Sequence, residues 1–140
     1  MEVRRMLAER SYETEFHAAH LIIDHPHCGR LHGHTYKLKV YVQFDTKIWF
    51  DFNDLKHYVD EVLVNYDHTV LGCSYYKQED VLPIQDPKHV HITLEVMTMT
   101  AEMIAQKIKA ELTPSLFYKL GGDFILKVEL KETSSFGVKV

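Results

Sequence analysis

"HTYKLKVYVQF", residues 34–44, alternates apolar and polar side chains over most of its length, which is the pattern of a strand with one buried face. Five apolar residues share one face: Tyr36, Leu38, Val40, Val42 and Phe44. The opposite face carries Lys37, Lys39, Tyr41 and Gln43. An antiparallel sheet with one face on a core and the other in water produces this alternation, so the stretch predicts such a sheet.

Histidines continue the apolar face of this strand at its start. His32 and His34 point to the same side because they are two residues apart, and Gly33 between them points away. Residues 12–20, "YETEFHAAH", alternate more weakly and predict a neighbouring strand that ends at His20 on its inward face. The pattern therefore places three imidazoles within reach of one ion.

Spacing alone leaves three interpretations of these histidines open. Three imidazoles plus an open position are typical of catalytic zinc. Cys28, four residues before His32, could instead be a fourth ligand that closes a structural zinc site. In the third interpretation the histidines are polar loop residues that bind no metal.

The next part of the chain predicts two helices. The first begins at Asp51 or Asn53, since either can act as an N-cap, and its apolar residues recur at helical spacing. These residues are Leu55, Tyr58, Val59, Val62, Leu63 and Tyr66. The second helix begins after the cap Thr100 and is expected to end at about Leu112.

Further strands complete the predicted order. Residues 72–88 predict a loop, and residues 89–96 are compatible with a short strand. Residues 123–133 alternate as a strand, with Glu132 on its apolar side, and residues 136–140 are compatible with a last strand. The predicted order is strand, strand, helix, helix, strand, strand.

Composition indicates an ordinary globular protein. The 140 residues are 46% hydrophobic and 26% charged, which favours a single domain over residues 1–140. The net charge of −4 does not favour nucleic acid or an anionic membrane as a partner. No apolar run approaches the ~20 residues that span a bilayer. Two cysteines, Cys28 and Cys73, make no disulfide framework, so a cytoplasmic protein with free thiols is the simplest interpretation.

Six short motifs occur in an order that resembles the 6-pyruvoyl-tetrahydropterin synthase family. They are "FHAAH" (16–20), "CGRLHGH" (28–34), "WFDFNDLK" (49–56), "DHTVL" (67–71), "TAE" (100–102) and "KETSS" (131–135). Three residues separate the cysteine from HGH, and this gap length is similar to that of the queuosine-pathway 6-carboxytetrahydropterin synthases. The pyruvoyl branch of the family has a longer gap.

The resemblance implies an α+β tunnel fold. In that fold a four-stranded antiparallel sheet carries two helices on one face, in the order ββααββ. It also implies trimers whose sheets join into a barrel, stacked in pairs as hexamers, with active sites at subunit interfaces.

The resemblance also implies a substrate, 7,8-dihydroneopterin triphosphate, and a zinc ion held by His20, His32 and His34. In the carboxy branch the reaction releases triphosphate and acetaldehyde. Cys28 would be the general base and would stay off the metal. The triphosphate needs cationic groups, for which Arg30, Lys37 and Lys131 are candidates.

Five further residues acquire roles from the resemblance. Asp67 and His68 would form a second proton-transfer unit, although from the residues alone Asp67 could be a cap and His68 a helix C-terminal cation. Glu132 would accept hydrogen bonds from the pterin amino and ring N–H groups, although it could also be an exposed strand-end glutamate. Thr100 and Glu102 could add pterin contacts.

The sequence is also compatible with two rival functions. The first is 6-pyruvoyl-tetrahydropterin synthesis from the same substrate, which the short gap between Cys28 and His32 disfavours. The second is a zinc-stabilised binding module without turnover, in which Cys28 would coordinate the metal.

Overall fold

The computed structural model describes residues 5–20, 30–73, 90–94 and 100–140. Six strands and two helices lie in these ranges. They are β1 (Leu7–His20), β2 (His32–Asp45), α1 (Phe52–Leu63), β3 (Thr69–Cys73), β4 (Val90–Leu94), α2 (Ala101–Leu120), β5 (Phe124–Lys131) and β6 (Gly137–Lys139). In the described part of the chain, no helix is both long enough and apolar enough to cross a membrane.

Two long strands, β1 and β2, form the centre of the sheet. They pair antiparallel over fourteen residues each, from Leu7 opposite Asp45 to His20 opposite His32. The apolar face predicted for β2 is confirmed, since the five residues of that face are all buried: Tyr36, Leu38, Val40, Val42 and Phe44. β5 then pairs antiparallel with β2, and β6 pairs antiparallel with β5.

The prediction of a four-stranded, wholly antiparallel sheet is wrong. Within the described residues the sheet has six strands in the order β4-β3-β1-β2-β5-β6, and β3 runs parallel to both β1 and β4. The direction of β3 follows from α1, which returns the chain to the end of the sheet where β1 finishes. There Thr69 pairs with Ala18 and the chain continues in the direction of β1. A five-residue strand is too short to show its period in the sequence, so the element order ββααββ missed it.

Helix α1 begins at one of the two predicted N-caps. Asp51 is the N-cap, and its carboxylate accepts a hydrogen bond from the backbone N–H of Asn53 at 3.3 Å. In return, the Asp54 carboxylate accepts one from the Asp51 N–H at 3.1 Å, which completes a capping box. Leu55, Val59 and Leu63 are buried along one side.

Helix α2 is longer than predicted, because it ends at Leu120 and not at about Leu112. Pro114 lies inside the helix, where a proline costs roughly 3 kcal/mol by removing a hydrogen bond. Leu116 and Leu120 continue the buried stripe at a spacing of four residues, and burying each contributes about 1.5–3 kcal/mol. Tertiary burial therefore offsets the proline. The buried residues of both helices and of the sheet form one core, so both helices cover the same face.

Candidate active site

Three histidines meet where β1 ends and β2 begins. His20 lies opposite His32 in the ladder, and His34 is two residues further along β2 on the same face. One ring nitrogen of each histidine lies within 4.8 Å of those of the other two. His20 is fully buried, and the other two are partly buried. The structure thus brings together the three residues that the sequence predicted, and they could hold a metal ion.

The hydrogen bonding of these rings is suited to metal ligation. His32 Nδ1 lies 2.6 Å from the carbonyl oxygen of Arg30, so this nitrogen can donate its proton and leave Nε2 as a ligand. The buried Nε2 of His34 makes no hydrogen bond to any described residue. Burial lowers the pKa of His34, although the negative charge of Glu132 partly opposes this. A neutral imidazole with an available nitrogen is the form that binds zinc.

Glu132 stands beside the histidines. It directly follows β5, its side chain is 24% exposed, and its Oε1 lies 3.6 Å from Nε2 of His20. Its backbone N–H donates to the carbonyl oxygen of Phe136 at 3.2 Å, which closes the turn toward β6. The carboxylate is therefore held between the histidine cluster and the opening beside α2.

A cavity of about 270 Å³ adjoins this carboxylate. It is lined by the start of α2, by Glu132 and by the segment leading into β6, namely Thr100, Ala101, Glu102, Glu132, Phe136, Gly137 and Val138. Thr100 is the N-cap of α2, and its hydroxyl accepts a hydrogen bond from the Met103 N–H at 3.3 Å. The cavity has room for a small molecule, and Glu132 on its wall can accept hydrogen bonds from N–H donors of such a ligand.

Asp67 and His68 form a hydrogen-bonded pair just after α1. His68 Nδ1 lies 2.8 Å from an Asp67 carboxylate oxygen, and the other oxygen accepts from the backbone N–H of His17 at 2.9 Å. Burial alone would raise the pKa of Asp67, but the hydrogen bonds from His17 and His68 outweigh it and lower the pKa. The ionised carboxylate thus orients the imidazole. His68 itself has a φ of 58°, unusual for a residue with a side chain, and its N–H donates to the His17 carbonyl at 2.6 Å.

The Asp67–His68 pair and the three-histidine cluster open on opposite faces of the sheet. His17 is exposed on the face opposite to that of buried His20, as the alternation of β1 requires. The His68 ring packs edge-on against the His17 ring, with 5.7 Å between centroids. The His17 ring is in turn held at Nδ1 by the Thr35 hydroxyl at 3.0 Å. A single chain therefore does not direct both groups into one cavity.

The structure does not bring the other predicted site residues to the histidine cluster within the part of the chain that it describes. Cys28 lies outside the described residues, and Arg30 is exposed. Lys37 and Lys131 face each other across the β2–β5 ladder on the exposed side of the sheet, away from the histidines. The sequence interpretation missed the contact of His17 with the Asp67–His68 pair. Alternation in residues 12–20 could have placed His17 on the outer face, but no local pattern indicates its contact with a residue fifty positions away.

The chain matches a known protein family over most of its length. The family model described as 6-pyruvoyl tetrahydropterin synthase matches residues 9–140. A relative from Rickettsia conorii, named 6-carboxy-5,6,7,8-tetrahydropterin synthase, is 32% identical over 135 residues, covering 90% of this chain and 94% of that protein. A relative of the same name from Haemophilus influenzae is 39% identical over 108 residues, covering 70% of this chain and 77% of the other.

Solved structures show the same fold. The 6-pyruvoyltetrahydropterin synthase of Plasmodium vivax superimposes with a TM-score of 0.74 at 22% identity, over 96% of this chain and 97% of that one. The six motifs, the grouped histidines and these comparisons agree over nearly the whole chain. The chain belongs to the 6-pyruvoyl tetrahydropterin synthase family.

Proposed function

We propose that the protein is a zinc-dependent 6-carboxy-5,6,7,8-tetrahydropterin synthase. Its reaction would convert 7,8-dihydroneopterin triphosphate with loss of triphosphate and acetaldehyde. The observation that carries the proposal is the position of Glu132, a carboxylate 3.6 Å from His20 in a cluster of three imidazoles, on the wall of an open cavity. The names of the relatives and the short gap between Cys28 and His32 favour the carboxy product over the pyruvoyl product.

Glu132 is the proposed anchor of the pterin ring. A carboxylate can accept two parallel hydrogen bonds, and the pterin offers an amino group and a ring N–H side by side. The side chain is 24% exposed and lines the cavity, so its carboxylate is within reach of a bound ring. Thr100 lines the same cavity at the N-terminus of α2, where it can contact the ring edge.

His20, His32 and His34 are the proposed zinc ligands. A bound zinc ion would supply Lewis-acid stabilisation of the charge that develops on substrate oxygens. The contribution of the chain is to hold three imidazoles in place. The carbonyl of Arg30 fixes the His32 ring, and burial lowers the pKa of His34, which favours its neutral form. Three protein ligands leave a position for substrate, as catalytic zinc requires.

Two groups are proposed to move protons. Cys28 would be the general base, because a thiol near zinc and imidazoles has a lowered pKa and accepts protons readily near neutral pH. Asp67 and His68 would form the second unit, with the carboxylate orienting the imidazole. Since this pair opens on the face opposite to the histidine cluster, we propose that each active site takes it from a second copy of the chain.

That arrangement requires an oligomer. We propose a hexamer made of two trimers, in which sheets of neighbouring subunits join edge to edge into a barrel. Among the described strands, β4 and β6 lie at the edges of the sheet and are available for joining. Pairing between copies would also cover sheet edges that otherwise attract unwanted strands.

Product analysis tests the proposed reaction directly. The zinc-loaded protein is incubated with 7,8-dihydroneopterin triphosphate, and the products are identified by mass spectrometry. We expect 6-carboxytetrahydropterin together with acetaldehyde. A 6-pyruvoyl product would assign the sister activity, and zinc binding without any turnover would support the non-catalytic module instead.

A further inference from the structure

Tyr36 is a buried polar side chain that the proposed reaction does not use. It is fully buried on β2 and stacks on Phe16, with ring centroids 5.0 Å apart and an interplanar angle of 13°. Its ring also meets His34 at 5.3 Å and His20 at 5.9 Å, so it forms the floor under the histidine cluster. Its hydroxyl makes no hydrogen bond to any residue that the structure describes. Buried phenols normally have a partner, which points to one supplied on ligand binding.

Glu132 is the candidate acceptor for this hydroxyl, because the strand register places it across from Tyr36. The β2–β5 ladder ends with Lys37 opposite Lys131, so Tyr36 and Glu132 stand across from each other one step further. Both lie on the side of the sheet that carries the buried residues of these strands. A phenol with the ordinary pKa of about 10 is protonated near neutral pH, so the Tyr36 hydroxyl can donate to this carboxylate.

We infer that Tyr36 is a positioning residue whose hydroxyl donates a hydrogen bond to the Glu132 carboxylate when a pterin occupies the adjoining cavity. The inference rests on the proposed function, which supplies the pterin. In the structure the carboxylate lies 3.6 Å from Nε2 of His20. A carboxylate can accept about four hydrogen bonds, so the phenol does not compete with the two N–H groups of the pterin. The bond instead fixes the rotamer in which Glu132 meets the ring.

A matched pair of tyrosines separates this role from simple packing. Tyr66 is also fully buried and also packs on Phe16, at 5.9 Å. Its hydroxyl, however, donates to the Glu111 carboxylate at 3.0 Å, away from the cavity. Tyr36→Phe therefore removes an unpartnered hydroxyl beside the site, whereas Tyr66→Phe removes a partnered one elsewhere.

The experiment measures zinc content, melting temperature and neopterin affinity for both variants, with affinity followed by pterin fluorescence. For Tyr36→Phe we expect unchanged zinc, an equal or higher melting temperature without ligand, and a Kd for neopterin raised by about tenfold, the size of one hydrogen bond to a charged group. For Tyr66→Phe we expect a modestly lower melting temperature and an unchanged Kd, because the partly buried Glu111 carboxylate loses the hydrogen bond from this hydroxyl.

An unchanged Kd in Tyr36→Phe would overturn the inference while leaving the proposed function intact. A fall in its melting temperature similar to that of Tyr66→Phe, with the affinity retained, would assign the hydroxyl a purely structural role. Failure of the wild-type protein to bind neopterin would overturn the proposed function, and the inference with it.

Discussion

Replacing Glu132 by glutamine keeps the shape of the side chain but removes its charge and one of its two acceptor oxygens. The amide then offers N–H groups to a pterin edge that also consists of donors. A hydrogen bond to a charged group contributes about 1.5–3 kcal/mol, and since the side chain is 24% exposed we take the lower end for each of two bonds. The glutamine keeps one acceptor oxygen, whose neutral hydrogen bond contributes about 1 kcal/mol, so a net loss of about 2 kcal/mol weakens pterin binding roughly 30-fold.

The assay is a fluorescence titration of the zinc-loaded variant with neopterin, with zinc content measured on the same sample. Zinc content should stay at the wild-type level, because the three imidazoles are untouched. Glu129→Gln is the matched control, since Glu129 lies on β5 opposite Lys39 and belongs to the other face of the sheet. A Kd in Glu132→Gln within twofold of the control would refute the pterin-anchor assignment. Loss of zinc would show that the carboxylate supports the metal instead.

Three further predictions concern the metal, the base and the assembly. His32→Ala and His34→Ala should each lose zinc in metal analysis, and full occupancy in both would remove the site as proposed. Cys28→Ala should keep its zinc and its melting temperature while turnover falls by roughly 10²–10⁴, the usual contribution of a general base; zinc loss with a large drop in melting temperature would make Cys28 a structural ligand. Co-expression of Cys28→Ala with His68→Ala should restore part of the activity that each lacks alone, because a mixed oligomer contains some sites with both groups intact. No restoration in a verified mixed oligomer would argue against sites shared between copies.

The two-residue alternation of apolar and polar side chains predicted much of the sheet and of the metal site. The alternation in residues 34–44 predicted the buried face of β2, and the same two-residue period put His32 and His34 on that face. The cap at Asp51 is likewise a local property, since it depends on residues within one turn. These features follow from neighbouring residues, so the sequence contains them directly.

Several features depended on contacts between distant segments, and only the tertiary structure decided them. Burial of Leu116 and Leu120 extends α2 through Pro114, against the local preference of proline to end a helix. The direction of β3 depends on the path of α1, which returns the chain to the end of the sheet where β1 finishes. There Thr69 pairs with Ala18. No spacing rule in the sequence encodes either result.

For the candidate site too, some features could be predicted from the sequence and others depended on the tertiary structure. The sequence determined which residues could ligate a metal and, by resemblance, which could bind a pterin. The tertiary structure decided that Glu132 lies beside His20, although 112 positions separate them, and that Asp67 and His68 are fastened to the backbone of His17 on the opposite face. The physical reason is that side-chain parity is set residue by residue along a strand. Which strands become neighbours, and which groups then meet, is set by long-range packing of the whole core.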